Sequence, residues 1–599
     1  MEKIAVLDSG GQYCHLIARK VRELGVYAEI LPLDTAPKKL ARYSGVIISG
    51  GPASVFEEGS PQPKPSLFGL ARPMLGICYG HQLMAKYLAG ELERGNGNEY
   101  GRADLRVRHE QPLFSELPLR QRVWMSHGDH VTKLPPGFET LGDTRQCSVA
   151  AMGDLRRHYY GLQFHPEVVH TAYGAEILRN FLFRVCRCRM DWHPEDSIVK
   201  IFDKIRRTVK DRRVLFFLSG GVDSTVAYAL TVKAIGPENV HAVYVDTGFM
   251  RLDETREIQE AFSHLGYGRV DVVAARGQFL SGLREVVDPE KKRLIIGRQF
   301  VDVQEQVVER EEFGGHDWIL GQGTIYPDRI ESGASSNSAV IKTHHNRVDA
   351  IAKLIEQGRI LEPLGDFYKD EVRKLGRVLG LPDALVWRHP FPGPGLAIRC
   401  LCTKSTSKVE ADTGIDNLAK ASGYRGFLLP IRSVGVQGDS RSYAKLTVLH
   451  GGPLDFRSLL PLATAITNKY PQTNRVVLAL APKRWRPGEW TVRRATLTRK
   501  RISLLQEADR IVTKFLHEQG LYSRIWQCPV VLVPLSRSGG GGETIALRPV
   551  TSVDGMTAEA AQIPGAKMSE LARQLMALNG VDAVLYDLSH KPPSTIEWE

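Results

Sequence analysis

The chain has 599 residues, 43% of them hydrophobic and 24% charged, with a formal net charge of +12. At about 150 residues per domain, that length predicts three or four domains of an ordinary soluble protein. No apolar stretch approaches the roughly 20 residues of a membrane span, and eight cysteines, four of them spaced as CRC and CLC, make neither a disulfide framework nor a CxxC metal knuckle. The opening MEKIAVLDSGGQY lacks the hydrophobic region of a secretory signal, so a reducing cytoplasm is the expected setting. The positive charge suits anionic ligands but is spread thinly, and charge alone leaves nucleotides and nucleic acid both open.

In chain order, KIAVLDS, HLIARKVRELG, GVIISGG, PMLGIC and HQLMAKYLA alternate strand-like and amphipathic patterns, which predicts parallel strands with crossover helices over residues 1–190. VWMSH and YYGLQFH continue that unit, and the basic, polar stretch RVCRCRMDWHPED closes it. A second series runs over residues 191–398: helix SIVKIFDKIRRTVKD, strand VLFFLS, helix DSTVAYALTVKA, strand VHAVYVD, helix DETREIQEAFSHLG and strand RVDVVAA. Pro- and Gly-rich HPFPGPGLAI then punctuates the chain. Over residues 399–599, strand-like NRVVLALA, PVVLVPL, TIALRPV and AVLYDL mix with helices RISLLQEADRIVTKFLHEQ and SELARQLMALNG. The expected fold is therefore α/β: two doubly wound parallel-sheet domains followed by a smaller α+β C-terminal domain.

In PMLGICYGHQLMA, Cys78 stands between Gly76 and Gly80 at a strand-to-helix junction. This is the G-x-S-x-G nucleophile elbow with sulfur in place of oxygen, and the following helix N-terminus favours a thiolate. QFHPEVV offers His165 as proton shuttle and Glu167, two residues on, to orient it. The GGP turn after GVIIS can present the Gly51 N–H, which with the N–H of Tyr79 would form an oxyanion hole. Taken alone, a cysteine is most often a small buried hydrophobe and a histidine a hydrogen-bonded core or surface residue. The three motifs in one α/β domain reverse that preference.

Strand VLFFLS ends in SGGVDS, residues 219–224, before a helix. A glycine-rich loop at a strand's C-terminal end suits phosphate binding, but the lysine of a Walker loop is missing. The loop resembles that of the N-type ATP pyrophosphatases, and the resemblance implies that Ser219, Gly220, Gly221, Val222, Asp223 and Ser224 grip phosphates that depart together as pyrophosphate while the α-phosphate is attacked.

Motifs GGP, GICYGHQ and HPE resemble the triad-type class I glutamine amidotransferases, and SGGVDS resembles the N-type ATP pyrophosphatases. With VDTGFMR, GQGTIYPDRIESG, IKTHHN, EPLGDFYKDEVRKLG, RHPFPGPGLA and KPPSTIEWE, the whole chain resembles the glutamine-hydrolysing GMP synthases. That resemblance implies Cys78 as nucleophile, His165 as acid/base and Glu167 as its orienter. It also implies ATP with Mg2+ at the SGGVDS loop, glutamine as nitrogen donor, and adenylylation of xanthosine monophosphate (XMP) at its C2 oxygen before ammonia displaces AMP. XMP contacts are implied at Arg293, Asp439, Gln527, Lys591 and Glu597, and no metal ligand is assigned. Thr247 stands where the resemblance leads asparagine to be expected, and sequence around residues 443–545 that is extra beside the family's compact dimeric members leaves a monomer and a homodimer both open.

Two rival readings differ in class. NAD synthetases share the pyrophosphatase loop, but those that use glutamine carry a nitrilase-type amidase. The run KRWRPGEWTVRRATLTRKR at 483–501 would suit a nucleic-acid-binding adenylylase, yet such runs are more often solvated faces and no stacking-aromatic pattern accompanies it. No nucleic-acid or membrane partner is therefore expected.

Overall fold

The computed structural model describes residues 2–11, 13–109, 112–310, 317–333, 357–409, 411–437, 440–552, 555 and 557–599. They form two compact units: the described residues up to Ser197 together with a helix at Tyr326–Gly333, and Ile198–Ile325 together with the described residues from 357 to Glu599.

The first unit is built on a nine-stranded sheet of order β2-β1-β3-β4-β9-β8-β7-β5-β6. Strands β1 (Lys3–Asp8), β2 (Tyr27–Pro32), β3 (Gly45–Ile48), β4 (Met74–Ile77) and β9 (Tyr159–Leu162) run parallel. Their short apolar runs are buried almost end to end, as a parallel sheet covered on both faces requires. The rest of the sheet is antiparallel: β5 (Glu91–Val107), β6 (Arg120–Lys133), β7 (Glu139–Asp143) and β8 (Ala151–Asp154). Along β6, buried residues alternate with exposed ones over Arg120–Val123 and onward, the pattern of a strand with one wet face. In the helix Tyr326–Gly333, the Tyr326 hydroxyl accepts a 2.7 Å hydrogen bond from Ile30 N–H, and the Arg22 guanidinium lies 4.8 Å from its ring centroid.

In the second unit, β10 (Arg213–Leu218), β11 (Val240–Asp246), β12 (Val270–Ala274), β13 (Trp318–Gly321) and β14 (Ile360–Leu361) form an all-parallel sheet of order β12-β11-β10-β13-β14. Strand order reverses between β10 and β13, so the crevice at their C-terminal ends is the switch point at which such sheets bind ligands. A six-stranded mixed sheet follows, made of β15 (Arg425–Gln437), β16 (Ser440–His450), β17 (Thr473–Ala481), β18 (Val530–Val533), β19 (Glu543–Leu547) and β20 (Val581–Asp587) in the order β15-β16-β17-β20-β19-β18. Side chains alternate across it: Val530 and Leu532 pack with helices Phe456–Lys469, Arg499–Glu518 and Gly565–Met576, whereas Val531 and Val533 pack with Trp485, Trp490 and Trp598. Two α/β sheets followed by a mixed sheet, the last lying within the second unit, have the expected class.

Candidate active sites

Cys78 lies between β4 and the helix Tyr79–Tyr87 with φ +51° and ψ −104°. A β-carbon is strained there, and the neighbouring glycines make room for the turn. A Cβ on Gly80 would sit 2.3 Å from Ile48 O, and one on Gly76 would sit 2.4 Å from Gly80 O. The Cys78 N–H donates to Leu162 O at 2.7 Å, which ties the elbow to β9. Tyr79 is the first helical residue, so its N–H is among those left without an intrahelical acceptor.

Just beyond β9, the His165 ring nitrogen Nδ1 lies 2.7 Å from Glu167 Oε1, with both residues buried. Gly50 separates this pair from the elbow: a Cβ there would sit 3.0 Å from His165 Cε1 and 3.5 Å from Cys78 Cβ. Burial works against a charged imidazole, but the Glu167 carboxylate, followed by the Cys78 sulfur, outweighs it and carries the His165 pKa up to about 10. The ring is thus an imidazolium at neutral pH, with a proton to give. Gly51 follows β3, and a Cβ on it would meet Ser9 O at 2.6 Å, so only glycine fits. Cysteine, imidazolium, carboxylate and two glycine-backed turns meet at one sheet end. Such an arrangement can attack a carbonyl carbon, protonate a departing nitrogen and hold an oxyanion.

In the second unit, Ser219, Gly220 and Gly221 link β10 to the helix Val222–Ile235 at the switch point. Gly220 has φ +75°, and a Cβ on it would sit 2.6 Å from Glu254 Oε1. The loop is held from inside: Ser219 Oγ and Ser224 Oγ are 3.1 Å apart, Gly221 N–H donates to Ser219 Oγ at 3.3 Å, and Ser224 Oγ donates to Gly221 O at 3.1 Å. Gly323, just after β13, closes against it, since a Cβ there would lie 2.7 Å from Ser224 N. Lys369, the first residue of the helix Lys369–Val378, brings its ammonium 3.2 Å from Asp223 Oδ2. Asp223 Oδ1 is buried without a hydrogen-bond partner. One free carboxylate oxygen beside a phosphate loop fits Mg2+ that arrives on nucleotide phosphates, because that ion keeps phosphate and water ligands. Among the described residues there is no cluster of three His, Cys, Asp or Glu able to hold a metal unaided. Beside the loop, Thr247 accepts from Phe249 N–H at 3.2 Å, and Asp246 pairs with Arg276 at 2.7 Å.

Three of the five expected acceptor contacts meet around the tail. Glu597 is held by the fully buried Arg399, whose Nε donates to Oε2 at 3.0 Å and whose Nη2 donates to Oε1 at 2.7 Å. Gln527 Nε2 donates both to Glu597 Oε1 (3.1 Å) and to Pro390 O (3.0 Å), joining the HPFPGPG segment to the tail. Arg293 Nη2 donates to the main-chain oxygen of Glu599 at 2.5 Å. Lys591 Nζ instead donates to Gly555 O at 2.6 Å, and its main chain bridges to Ala558. Asp439 lies outside the described residues, as does IKTHHN.

Comparison with known proteins bears on all of these sites together. Residues 5–185 match the family model for glutamine amidotransferase class-I, residues 196–272 that for NAD synthase, and residues 514–598 that for the GMP synthase C terminal domain. A probable GMP synthase [glutamine-hydrolyzing] of Leptospira interrogans is 42% identical over 602 residues, covering all of this chain and 99% of that protein. The GMP synthases [glutamine-hydrolyzing] of Symbiobacterium thermophilum and Aquifex aeolicus are 40% and 38% identical, each with the same coverage. The chain belongs to the glutamine-hydrolysing GMP synthase family.

Beside the GMP synthase motifs stand two residues, Lys369 and Arg399, whose roles have no signature in the sequence. Lys369 lies in EPLGDFYKDEVRKLG, 146 residues from Asp223, and nothing local in that stretch marks it as the partner. Arg399 closes the RHPFPGPGLAIR segment, and only the fold reveals that it clamps Glu597. The NAD synthase match stops at residue 272 and so marks the shared loop, not the acceptor.

Proposed function

We propose that this chain makes GMP from XMP, ATP and glutamine, releasing AMP, pyrophosphate and glutamate. The observation that carries the reading is the presence, in one chain, of a cysteine elbow with a His165–Glu167 ion pair and a phosphate loop without its own lysine. At the first site the Cys78 sulfur attacks the glutamine side-chain carbonyl, with the oxyanion taken up by the N–H groups of Gly51 and Tyr79. His165 passes its proton to the departing nitrogen, ammonia leaves, and water hydrolyses the thioester.

At the second site, the SGGVDS loop and its helix N-terminus hold the β- and γ-phosphates while the XMP C2 oxygen attacks the α-phosphate. Lys369 supports this role by setting a cation beside a loop that lacks one. Bound magnesium would neutralise phosphate charge, with Asp223 as the protein ligand. Arg293, Gln527, Lys591, Glu597 and Asp439 are proposed to bind XMP, with Arg399 fixing the Glu597 carboxylate. Ammonia then displaces AMP from the activated C2. Eight free thiols suit a reducing cytoplasm, and among the described residues no helix is long and apolar enough to cross a membrane. The assembly is proposed to be a monomer or a homodimer, which sedimentation velocity distinguishes.

The test mixes protein, ATP, Mg2+, glutamine and either XMP or deamido-NAD. GMP, AMP and pyrophosphate in equal amounts, formed only with XMP, are expected. ADP as the nucleotide product would mean γ-phosphoryl transfer and would sink the account of the loop.

A further inference from the structure

The Cys78 sulfur has two neighbours beyond His165. One is the main-chain carbonyl of Ser126, 3.6 Å away, to which a thiol can donate. The other is the side-chain amide of Gln163, a fully buried residue just past β9, whose Nε2 lies 3.8 Å from the sulfur. The two ends of an amide look alike by shape, so which end faces sulfur has to be read from the hydrogen bonds around it.

Here those bonds form a chain with one possible direction. The Asp129 main-chain oxygen can only accept, and it takes a 2.8 Å hydrogen bond from Gln82 Nε2. That fixes the NH2 end of the Gln82 amide. The same NH2 group donates to Gln163 Oε1 at 3.4 Å, which fixes the oxygen end of the Gln163 amide. An NH2 is thereby left facing Cys78. Turning Gln163 over would oppose two NH2 groups on one side and set its oxygen against sulfur on the other.

We infer that Gln163 is a further catalytic residue of the glutaminase site, donating to the Cys78 sulfur when it is a thiolate, and that Gln82 is the positioning residue that keeps this donor end turned toward it. The inference rests on the reading of Cys78 as nucleophile. With the sulfur as thiol, its proton goes to Ser126 O. Once the proton is lost, that carbonyl becomes a repulsive neighbour, and the amide of Gln163 joins the His165 imidazolium as a donor to the negative sulfur. A hydrogen bond to the charged form favours that form. The same contact serves twice in a turnover. Sulfur gives its electron pair to the amide carbon as the C–N bond breaks and His165 delivers a proton to nitrogen. When water adds to the thioester it gives a proton to the now neutral His165, the C–S bond breaks, and the pair returns to sulfur, where the Gln163 N–H meets it.

The test uses the full chain and follows iodoacetamide labelling of the Cys78 peptide by mass spectrometry across pH, in Gln163→Met and Gln163→Glu. Both replacements nearly preserve side-chain volume, so a purely spatial role moves them together, whereas a donor role separates them. The pH of half-maximal labelling is expected to rise by about one unit in the Met variant, the scale of one lost hydrogen bond to the charged form, and further in the Glu variant, with glutamine hydrolysis at neutral pH falling in the same order. Gln82→Met, which leaves Gln163 in place but frees its amide to turn, is expected to shift labelling in the same direction by less, and covers the case in which a Gln163 variant does not fold. Labelling profiles that coincide with that of the unaltered chain would overturn the inference while leaving Cys78 as nucleophile. If Cys78→Ala still hydrolyses glutamine, the nucleophile reading falls and this inference falls with it.

Discussion

At Cys78 the left-handed backbone is the part of the first site that a sequence can announce, because only flanking glycines permit it. The charge state of His165 needs the fold. Its pKa is carried up to about 10 by Glu167 and then Cys78, against burial, compared with about 6.5 when unfolded. A raised folded-state value means that the protonated ring stabilises the fold fully below about pH 6.5 and loses that contribution as pH climbs through about 10. Glu167→Gln removes the anchoring charge and leaves burial to depress the imidazole. The variant is expected to be less stable at pH 7 by about 3–5 kcal/mol, the cost of breaking a buried pair, and the gap should narrow toward pH 10. Urea unfolding of the two proteins at both pH values measures it, and a gap that ignores pH would show that His165 is not held charged by Glu167. His165 and Glu167 were legible because they are two residues apart in one strand-end motif. Lys369, Arg399 and Gln163 were not, since each acts on a partner 85 to 198 residues away.

Elements were legible to the extent that burial on one or both faces leaves a pattern. The continuous apolar runs of β1 and β10 announce parallel strands, and the alternation in β6 announces a strand with one wet face, but neither reveals the antiparallel order β9-β8-β7-β5-β6, which depends on long-range pairing. For the SGGVDS loop, the element that matters besides the loop is the turn after β13. A Cβ on Gly323 would lie 2.7 Å from Ser224 N and 2.8 Å from Ser224 Cα, both main-chain atoms at the helix start. Backbone there cannot yield as a side-chain tip can, so Gly323→Ala must displace the loop or the turn. Overpacking of this kind costs about 1–3 kcal/mol, which corresponds to roughly a 5- to 150-fold loss in nucleotide affinity if the strain is relieved only by opening the loop. Calorimetric titration with ATP and Mg2+ reads this directly. Glutamine hydrolysis, carried by the other unit, provides the comparison. An unchanged ATP affinity would mean that the turn moves and the loop does not.

For the molecule as a whole, the two compact units did not follow sequence order, because the helix Tyr326–Gly333 groups with the first while the strand before it belongs to the second. The tail shows the same limit of local reading from the other side. Its apolar residues Ile596 and Trp598 are buried. Its charged groups are tied into the core as well. Glu599 pairs with Lys292, which is completely buried, and Glu597 with buried Arg399. Trp598 Nε1 donates to Asp587 at 2.9 Å, the carboxylate that also pairs with Arg475 and Arg548. Main-chain oxygen of Thr595 accepts from both of those arginines, at 3.0 and 3.3 Å. Removing residues 591–599 would thus take the carboxylate partners of buried Lys292 and Arg399, along with a main-chain acceptor of Arg475 and Arg548, and a single buried charge left unpaired costs about 3–5 kcal/mol. Two such losses, about 6–10 kcal/mol together, consume most of a typical reserve of about 5–15 kcal/mol. The truncated chain is expected to lose the cooperative melting transition of the second unit, and with it every AMP-forming activity, while glutamine hydrolysis persists. Glu597→Gln, which keeps shape and leaves Lys292 paired, should retain the transition and raise the XMP concentration needed for half-maximal AMP formation by about ten- to a hundredfold, as for a hydrogen bond to a charged group worth about 1.5–3 kcal/mol. Calorimetric melting and an XMP titration with ammonia separate the two cases. A truncated chain that melts like the intact one would show that the tail rests on the core without holding it.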